Sequence, residues 1–139
     1  MENNFPRKDY VIGIVRNQNK YLILRFRKDY DYCPGDWDFI TKHLDFKFSN
    51  LDDVMIETIN HHIGIKGKII KRYKPYSWSD PEYKILWFYY PFLVEVNNDN
   101  IQLNPDSKYD SYRWIDKDEI PSFDRLGYFE NALNNTINQ

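Results

Sequence analysis

Glu57 and His61 stand four residues apart in NLDDVMIETINHHIGI, and that spacing puts a carboxylate and an imidazole on one face of a helix. Such a pair can chelate a transition metal, because imidazole suits Zn, Cu, Fe or Ni. Two ligands do not make a site, and His43 is the only histidine outside this segment. An exposed helix pair is the plainer reading. His61 and His62 are adjacent, so they lie about 100° apart around a helix and need not converge. Elsewhere, Arg25 and Arg27 alternate to one face of a strand, where they suit either phosphate or an ordinary charged surface. Trp78 and Tyr83, in a proline-flanked segment, suit stacking on a base or packing at a loop edge. Glu95 and Asp99 offer carboxylates from another part of the chain. Cys33, between Asp31 and Asp36, lacks the positive surroundings that activate a thiol and reads as a bystander.

These side chains need a frame. Ser49 or Asn50 can cap a helix whose first turn carries Asp52 and Asp53, and Gly64 suits the residue just past its end. Leu51, Val54, Met55, Ile59 and Ile63 recur at helical spacing and face a core, leaving Asp53, Glu57, Asn60 and His61 outward. Before the helix, residues 10–16 and 21–26 read as a hairpin around NQNK, and Pro34-Gly35 marks a turn. After it, residues 65–73 have β character with Gly67 at a bulge, and 74–84 read as a loop. Residues 85–96 form a strongly apolar strand in which Pro91 implies a bulge or an edge. A short strand at 101–103, a strand at 109–115, a capped turn at 116–121 and a closing helix at 126–137 complete the chain. The expected class is α+β, an α/β/α sandwich with a mixed sheet between helices.

At 139 residues the chain fits one domain, 1–139, with a loose leader at 1–8 and a frayed tail at 135–139. Net charge is −2 with both signs interspersed, so neither a nucleic-acid groove nor a polybasic membrane patch is indicated. Aromatics reach 18%, and their strand preference makes most of them sheet residues. The lone cysteine, the lack of an apolar leader and the lack of any run near the ~20 residues of a membrane span suit a cytoplasmic protein.

In order and spacing these landmarks resemble the Nudix family over residues 9–135: YVIGIVRNQNKYLILRFR as hairpin, PGDWDFI, NHHIGI at the helix exit, and YRWIDKDEIP before the last helix. That family's signature is G-x5-E-x7-R-E-U-x-E-E-x-G-U, with U aliphatic. Anchored on Gly64 and Ile65, the aliphatic position falls on Ile59, the Arg-Glu pair on Glu57 and Thr58, and the Glu-Glu pair on His61 and His62. The glycine pair falls on Thr41 and Lys42 counted from Trp37, the leading glycine on His43 counted from Gly64, and the early glutamate on Phe48 or Ser49.

The resemblance implies a hydrolase of nucleoside diphosphate derivatives working through Mg²⁺ or Mn²⁺, but the signature carboxylates are replaced. Mg²⁺ wants oxygen ligands in near-octahedral array, and losing the ion's Lewis acidity and activated water removes orders of magnitude in rate. The expectation is therefore a degenerate Nudix-fold domain without metal cofactor, binding a nucleotide-like ligand or a protein partner. Arg25, Lys42, Trp78 and Tyr83 are its candidate ligand contacts, Lys42 supplying a fixed charge in place of an ion. The alternatives are a divergent hydrolase with Mg²⁺ or Mn²⁺ on relocated ligands, among Glu57, His61, Glu95 and Asp99, and a structural subunit whose aromatic surface docks in a larger complex or as a homodimer.

Overall fold

Strand β1 (Arg7–Asn17) is the axis of the computed structural model, which describes residues 4–45 and 50–139. Along one edge it runs parallel to β7 (Ile85–Glu95) over ten residue pairs, from Arg7↔Leu86 to Arg16↔Glu95. Its other edge is divided. Near its end it turns back into β2 (Lys20–Phe26), with Arg16 opposite Tyr21. Nearer its start it pairs with β4 (Ile40–His43), with Tyr10 opposite His43. Strand β2 also carries the short β3 (Trp37–Asp38) and the antiparallel β8 (Tyr109–Asp116). Beyond β7 lie β5 (Lys68–Arg72) and β6 (Tyr76–Asp80), both antiparallel to it.

The eight strands make one mixed sheet with a core on each face. Strand alternation sorts β1 between them: Val11 and Val15 join helix α1 (Leu51–Ile63), while Ile12 and Ile14 join the other side. There the 3₁₀ helix Lys117–Phe123 and α2 (Tyr128–Asn134) bury Ile120, Phe129, Ala132 and Leu133. The expected α+β class and layered arrangement are what the chain adopts.

Helix α1 starts and stops where its sequence directs. Asn50 Oδ1 accepts from Asp53 N at 3.3 Å, and Gly64 takes φ 72° while its N–H caps Asn60 O at 2.9 Å. Val54, Met55, Ile59 and Ile63 are buried as the stripe requires. Ser49 and Phe48 lie outside the described residues.

Several expectations are corrected. The stretch read as a loop at 74–84 contains β6, because Tyr76 and Asp80 point inward and Pro81 falls in the turn beyond. Pro91, expected at a bulge or an edge, lies in an interior strand, and the nearby register shift falls in β5. The Pro91 carbonyl accepts from Tyr73 N at 3.0 Å, so its donor-less nitrogen faces the joint where β7 changes partner from β6 to β5. The register shift in β5 falls between Ile69 and Lys71, and Gly67 is needed for another reason. A Cβ there would lie 2.4 Å from Val94 Cγ1, a stiff β-branched neighbour. Gly67→Ala is therefore expected to cost about 1–3 kcal/mol, read as a lowered denaturation midpoint at unchanged slope.

Residues 101–103 form no strand, because the end of α1 uses their backbone. Gln102 N donates to Ile63 O (3.2 Å) and Asn104 N to His62 O (3.1 Å), satisfying carbonyls that a helix end leaves open. At the chain's start the expected leader overlaps β1, which begins at Arg7. Near its end α2 stops at Asn134, yet the tail expected to fray is tied back: Thr136 is 1% exposed, and its Oγ1 donates to Ala132 O at 2.6 Å.

Candidate functional site

The outward face of α1, strand β4 and the loop 104–108 enclose a cleft of about 710 Å³. Helix α1 contributes Glu57, Thr58, Asn60, His61 and His62; β4 contributes Thr41, Lys42 and His43; Asp106 and Lys108 close the far side. Glu57, Thr58, His61 and His62, at the Arg-Glu and Glu-Glu positions, thus share one cavity with the residues at the glycine-pair positions.

Most of these groups already have partners. Thr58 Oγ1 donates back to Val54 O at 2.7 Å. His62 Nδ1 lies 2.8 Å from Ser107 Oγ, which already accepts the Tyr109 N–H at 3.0 Å, so the hydroxyl proton suits a ring protonated on Nε2. Burial, helped by the charges of Lys108, His61 and Lys42, pushes His62 down to about 3 and keeps it neutral. Thr41 N donates to Tyr109 Oη at 2.9 Å. Arg27 holds the loop in place, donating to Ser107 O (2.7 Å) and Pro105 O (2.9 Å).

Behind the cleft lies a small aromatic cavity of about 30 Å³, room for one water. Tyr10, Tyr32 and Trp87 meet edge to face around it, and Phe26 stacks on Tyr30 at 5.2 Å. Lys108 stands at the partition, lining both spaces with Tyr30 and Thr41. Its Nζ donates to Thr41 Oγ1 at 3.1 Å, and burial pushes the ammonium down to about 8. Asp38 lines the cavity's interior, 6% exposed, with Oδ1 accepting Phe39 N at 2.7 Å. Burial pushes this carboxyl up to about 7 against the pull of that hydrogen bond and of Lys108.

Other residues singled out from the sequence lie away from the cleft. Arg25 binds Asp110 Oδ1 and Ser111 Oγ, both at 3.0 Å. Trp78 packs edge-on to Tyr128 at 4.8 Å. Tyr83 Oη accepts Cys33 N at 2.8 Å, and burial pushes the Cys33 thiol up to about 12, as a bystander requires. Glu95 faces Arg16 at 3.4 Å, and Asp99 meets Trp114 through its carbonyl. The relocated ligand sets therefore do not assemble. Among the described residues no three His, Cys, Asp or Glu side chains gather in a way that could hold one ion. The carboxylates facing the cleft are Glu57 and Asp106, beside imidazoles and ammonium groups. This donor set does not fit a Mg²⁺ or Mn²⁺ cage.

Sequence reasoning passed over Lys108, Ser107 and Asp38. Asp38 did carry a signal, a carboxylate inside the apolar run WDFI. Lys108 and Ser107 precede a strand in an unremarkable polar segment, and only the pairing of β8 with β2 brings them to the cleft.

No family model matches the chain, and neither does any curated protein sequence. Solved structures do. A MutT protein from Methanosarcina mazei Go1 aligns with a TM-score of 0.78 at 17% identity, over 96% of this chain and 94% of that one. A MutT NUDIX hydrolase from Burkholderia pseudomallei aligns at 0.74 and 14%, over 94% and 98%. The NUDIX domain of Shewanella oneidensis NrtR, solved with ADP ribose, aligns at 0.69 and 7%, over 94% and 86%. With a hairpin, a glycine-ended helix over a mixed sheet and such neighbours across nearly its whole length, the chain has the Nudix fold.

Proposed function

We propose that this Nudix-fold domain is a binding module that takes a nucleotide-like ligand in the α1 cleft without a divalent ion and does not run metal-dependent diphosphate hydrolysis. The observation that carries the reading is the lining of the cleft. Thr58, His61 and His62 stand where the resemblance places glutamates, and Lys42 and Lys108 face them. Two ammonium groups near an imidazole suit a diphosphate directly, through charge-assisted hydrogen bonds that an ion would otherwise bridge. The cleft volume falls within the usual range for small-molecule sites. The NrtR domain solved with ADP ribose lends the same fold to a nucleotide ligand.

Thermal unfolding in excess chelator, with ADP-ribose, nucleoside diphosphate sugars and nucleoside triphosphates, tests this. A ligand at 100 times its Kd is expected to add about 2.7 kcal/mol of stability. Lys42→Met is expected to weaken that ligand by about tenfold or more, the loss of one hydrogen bond to a charged group. Brisk turnover with Mg²⁺ or Mn²⁺, abolished by Glu57→Gln, would overturn the proposal in favour of a divergent hydrolase. Stabilisation by none of these ligands, with a mass that doubles as concentration rises, would favour a dimeric subunit.

A further inference from the structure

We propose that Lys108 is a nucleophilic amine, set in the wall between cleft and aromatic cavity to condense reversibly with the aldehyde of a phosphorylated ligand. The proposal uses the cleft as a ligand site but asks for chemistry that nucleotide binding does not need.

The geometry is that of a half-buried amine whose hydrogen bond goes to a hydroxyl and whose surroundings are largely aromatic. Nζ has the hydroxyl of Thr41 at 3.1 Å and the rings of Tyr109, Tyr30 and Phe26 at 5.4, 5.7 and 5.8 Å. Among the described residues no carboxylate forms an ion pair with it. The titratable groups that face it are Asp38 from β3, Lys42 from β4, His62 from α1, Tyr30 from the preceding loop and Tyr109 from β8. His62 stays neutral, so Lys42 repels and Asp38 attracts, while burial outweighs both. With the ammonium at about 8, about a tenth of the population carries a free lone pair at pH 7, hundreds of times the share of a solvated lysine. Desolvated lysines of this kind are the ones that form imines with carbonyl compounds.

The step balances without an oxidant or a further reactant. The deprotonated Nζ adds to the aldehyde carbon, and the carbonyl oxygen takes up a proton to become a carbinolamine hydroxyl. That hydroxyl takes a second proton and leaves as water, nitrogen gives up its two protons, and a double bond between Nζ and the former aldehyde carbon is left. Water is the only product besides the imine. Asp38, a carboxyl that keeps its proton up to about pH 7, lines the same cavity. The cleft on the other side carries Lys42 and His61 for the ligand's phosphate.

The test incubates the full chain with pyridoxal 5′-phosphate or with pyridoxal, traps imines with cyanoborohydride and maps the labelled peptides. Lys108 is expected to label at least tenfold faster than the average of the other lysines, faster with the phosphorylated aldehyde, and with a rate that climbs through pH 8. Lys108→Arg, which keeps the charge, is expected to remove that fast phase alone. The wild-type map decides the matter even if this variant folds poorly. Label spread over the exposed lysines, with Lys108 at or below their average, overturns the proposal. Fast labelling of Lys108 in a protein that no nucleotide stabilises or protects sinks the nucleotide reading and leaves the amine standing; nucleotide protection without fast labelling does the reverse.

Discussion

Asp80→Ala is expected to destabilise the protein by about 3–5 kcal/mol, the range for removing one partner from a buried, charged network. Asp80 is 1% exposed and accepts four hydrogen bonds. Oδ1 takes Glu82 N at 2.9 Å and Tyr83 N at 3.3 Å, shaping the β6–β7 turn. Oδ2 takes Trp87 Nε1 at 2.8 Å and Tyr128 Oη at 2.5 Å, so one carboxylate joins β6, β7 and the first residue of α2. Burial alone would raise its pKa, but these donors outweigh burial and hold the carboxyl below its usual range. Alanine strands two backbone donors, an indole and a phenol at once, and each unsatisfied buried group costs about 1–3 kcal/mol less whatever water recovers. Asn keeps the shape but turns an NH₂ toward two other donors, so Asp80→Asn should fall between wild type and alanine. Because the folded carboxyl titrates below the unfolded value near 3.8, its contribution is complete above that pH and is lost as pH falls through the folded value. Denaturant midpoints at pH 7 decide the point, and a loss under about 1 kcal/mol would show that the network carries no stability.

Asp80 also marks where sequence reading stops. Elements whose stabilisation is local were legible: α1 through its cap, stripe and Gly64, the first hairpin, and the apolar β7. Strand β6 was not, because two prolines and a short alternation read as loop until the β7 partner and the buried Asp80 are present. The segment 101–103 failed in the opposite sense. Its β-like residues are recruited by the open carbonyls of α1, a demand set by tertiary structure that no window of sequence carries. Pro91 was correctly read as unable to serve a ladder. The joint between two partner strands, which excuses it, depends on topology.

The site divides the same way. Residues on one helix face, Glu57, Thr58, His61 and His62, share the cleft because helical spacing fixes their placement. Contacts expected from the hairpin strand and from the segment 74–84 do not line the cleft, since Arg25, Trp78 and Tyr83 are engaged in packing, hydrogen bonds and an ion pair of their own. Lys108 and Asp38, which the sequence did not single out, owe their shifted chemistry to burial, which depends on everything folded around them.

That burial makes opposite demands on His62 and Asp38, and single variants should separate them as opposed pH profiles of stability. His62 stays neutral in the folded chain down to about 3, whereas an unfolded histidine takes its proton near 6.5. Between those values the unfolded state binds more protons, so this group makes stability rise with pH by up to about 1.4 kcal/mol per unit. Asp38 keeps its proton in the folded chain up to about 7, whereas an unfolded aspartate loses it near 3.8. Between those values the folded state binds more protons, and stability falls with pH at a similar rate. Across pH 4–6.5 the two slopes oppose each other, and Lys108 stays charged throughout. In His62→Gln the aspartate's slope is left uncompensated and stability should decline as pH rises; in Asp38→Asn the histidine's slope remains and stability should climb. Contributions from all other carboxylates are shared, so the difference between the variants' slopes isolates these two groups, at about 2–3 kcal/mol per pH unit. Chemical denaturation at half-unit steps measures it, and parallel profiles would mean that neither group is held in the ionisation state its surroundings impose. Above pH 7, where Asp38 has released its proton and Lys108 has not, the partition between cleft and cavity holds a buried carboxylate near an ammonium. This is the state in which an anionic ligand in the cleft must compete with Asp38 for the lysine's charge, so ligand affinity should fall as pH passes from 6 to 7.5 in the natural chain and not in Asp38→Asn.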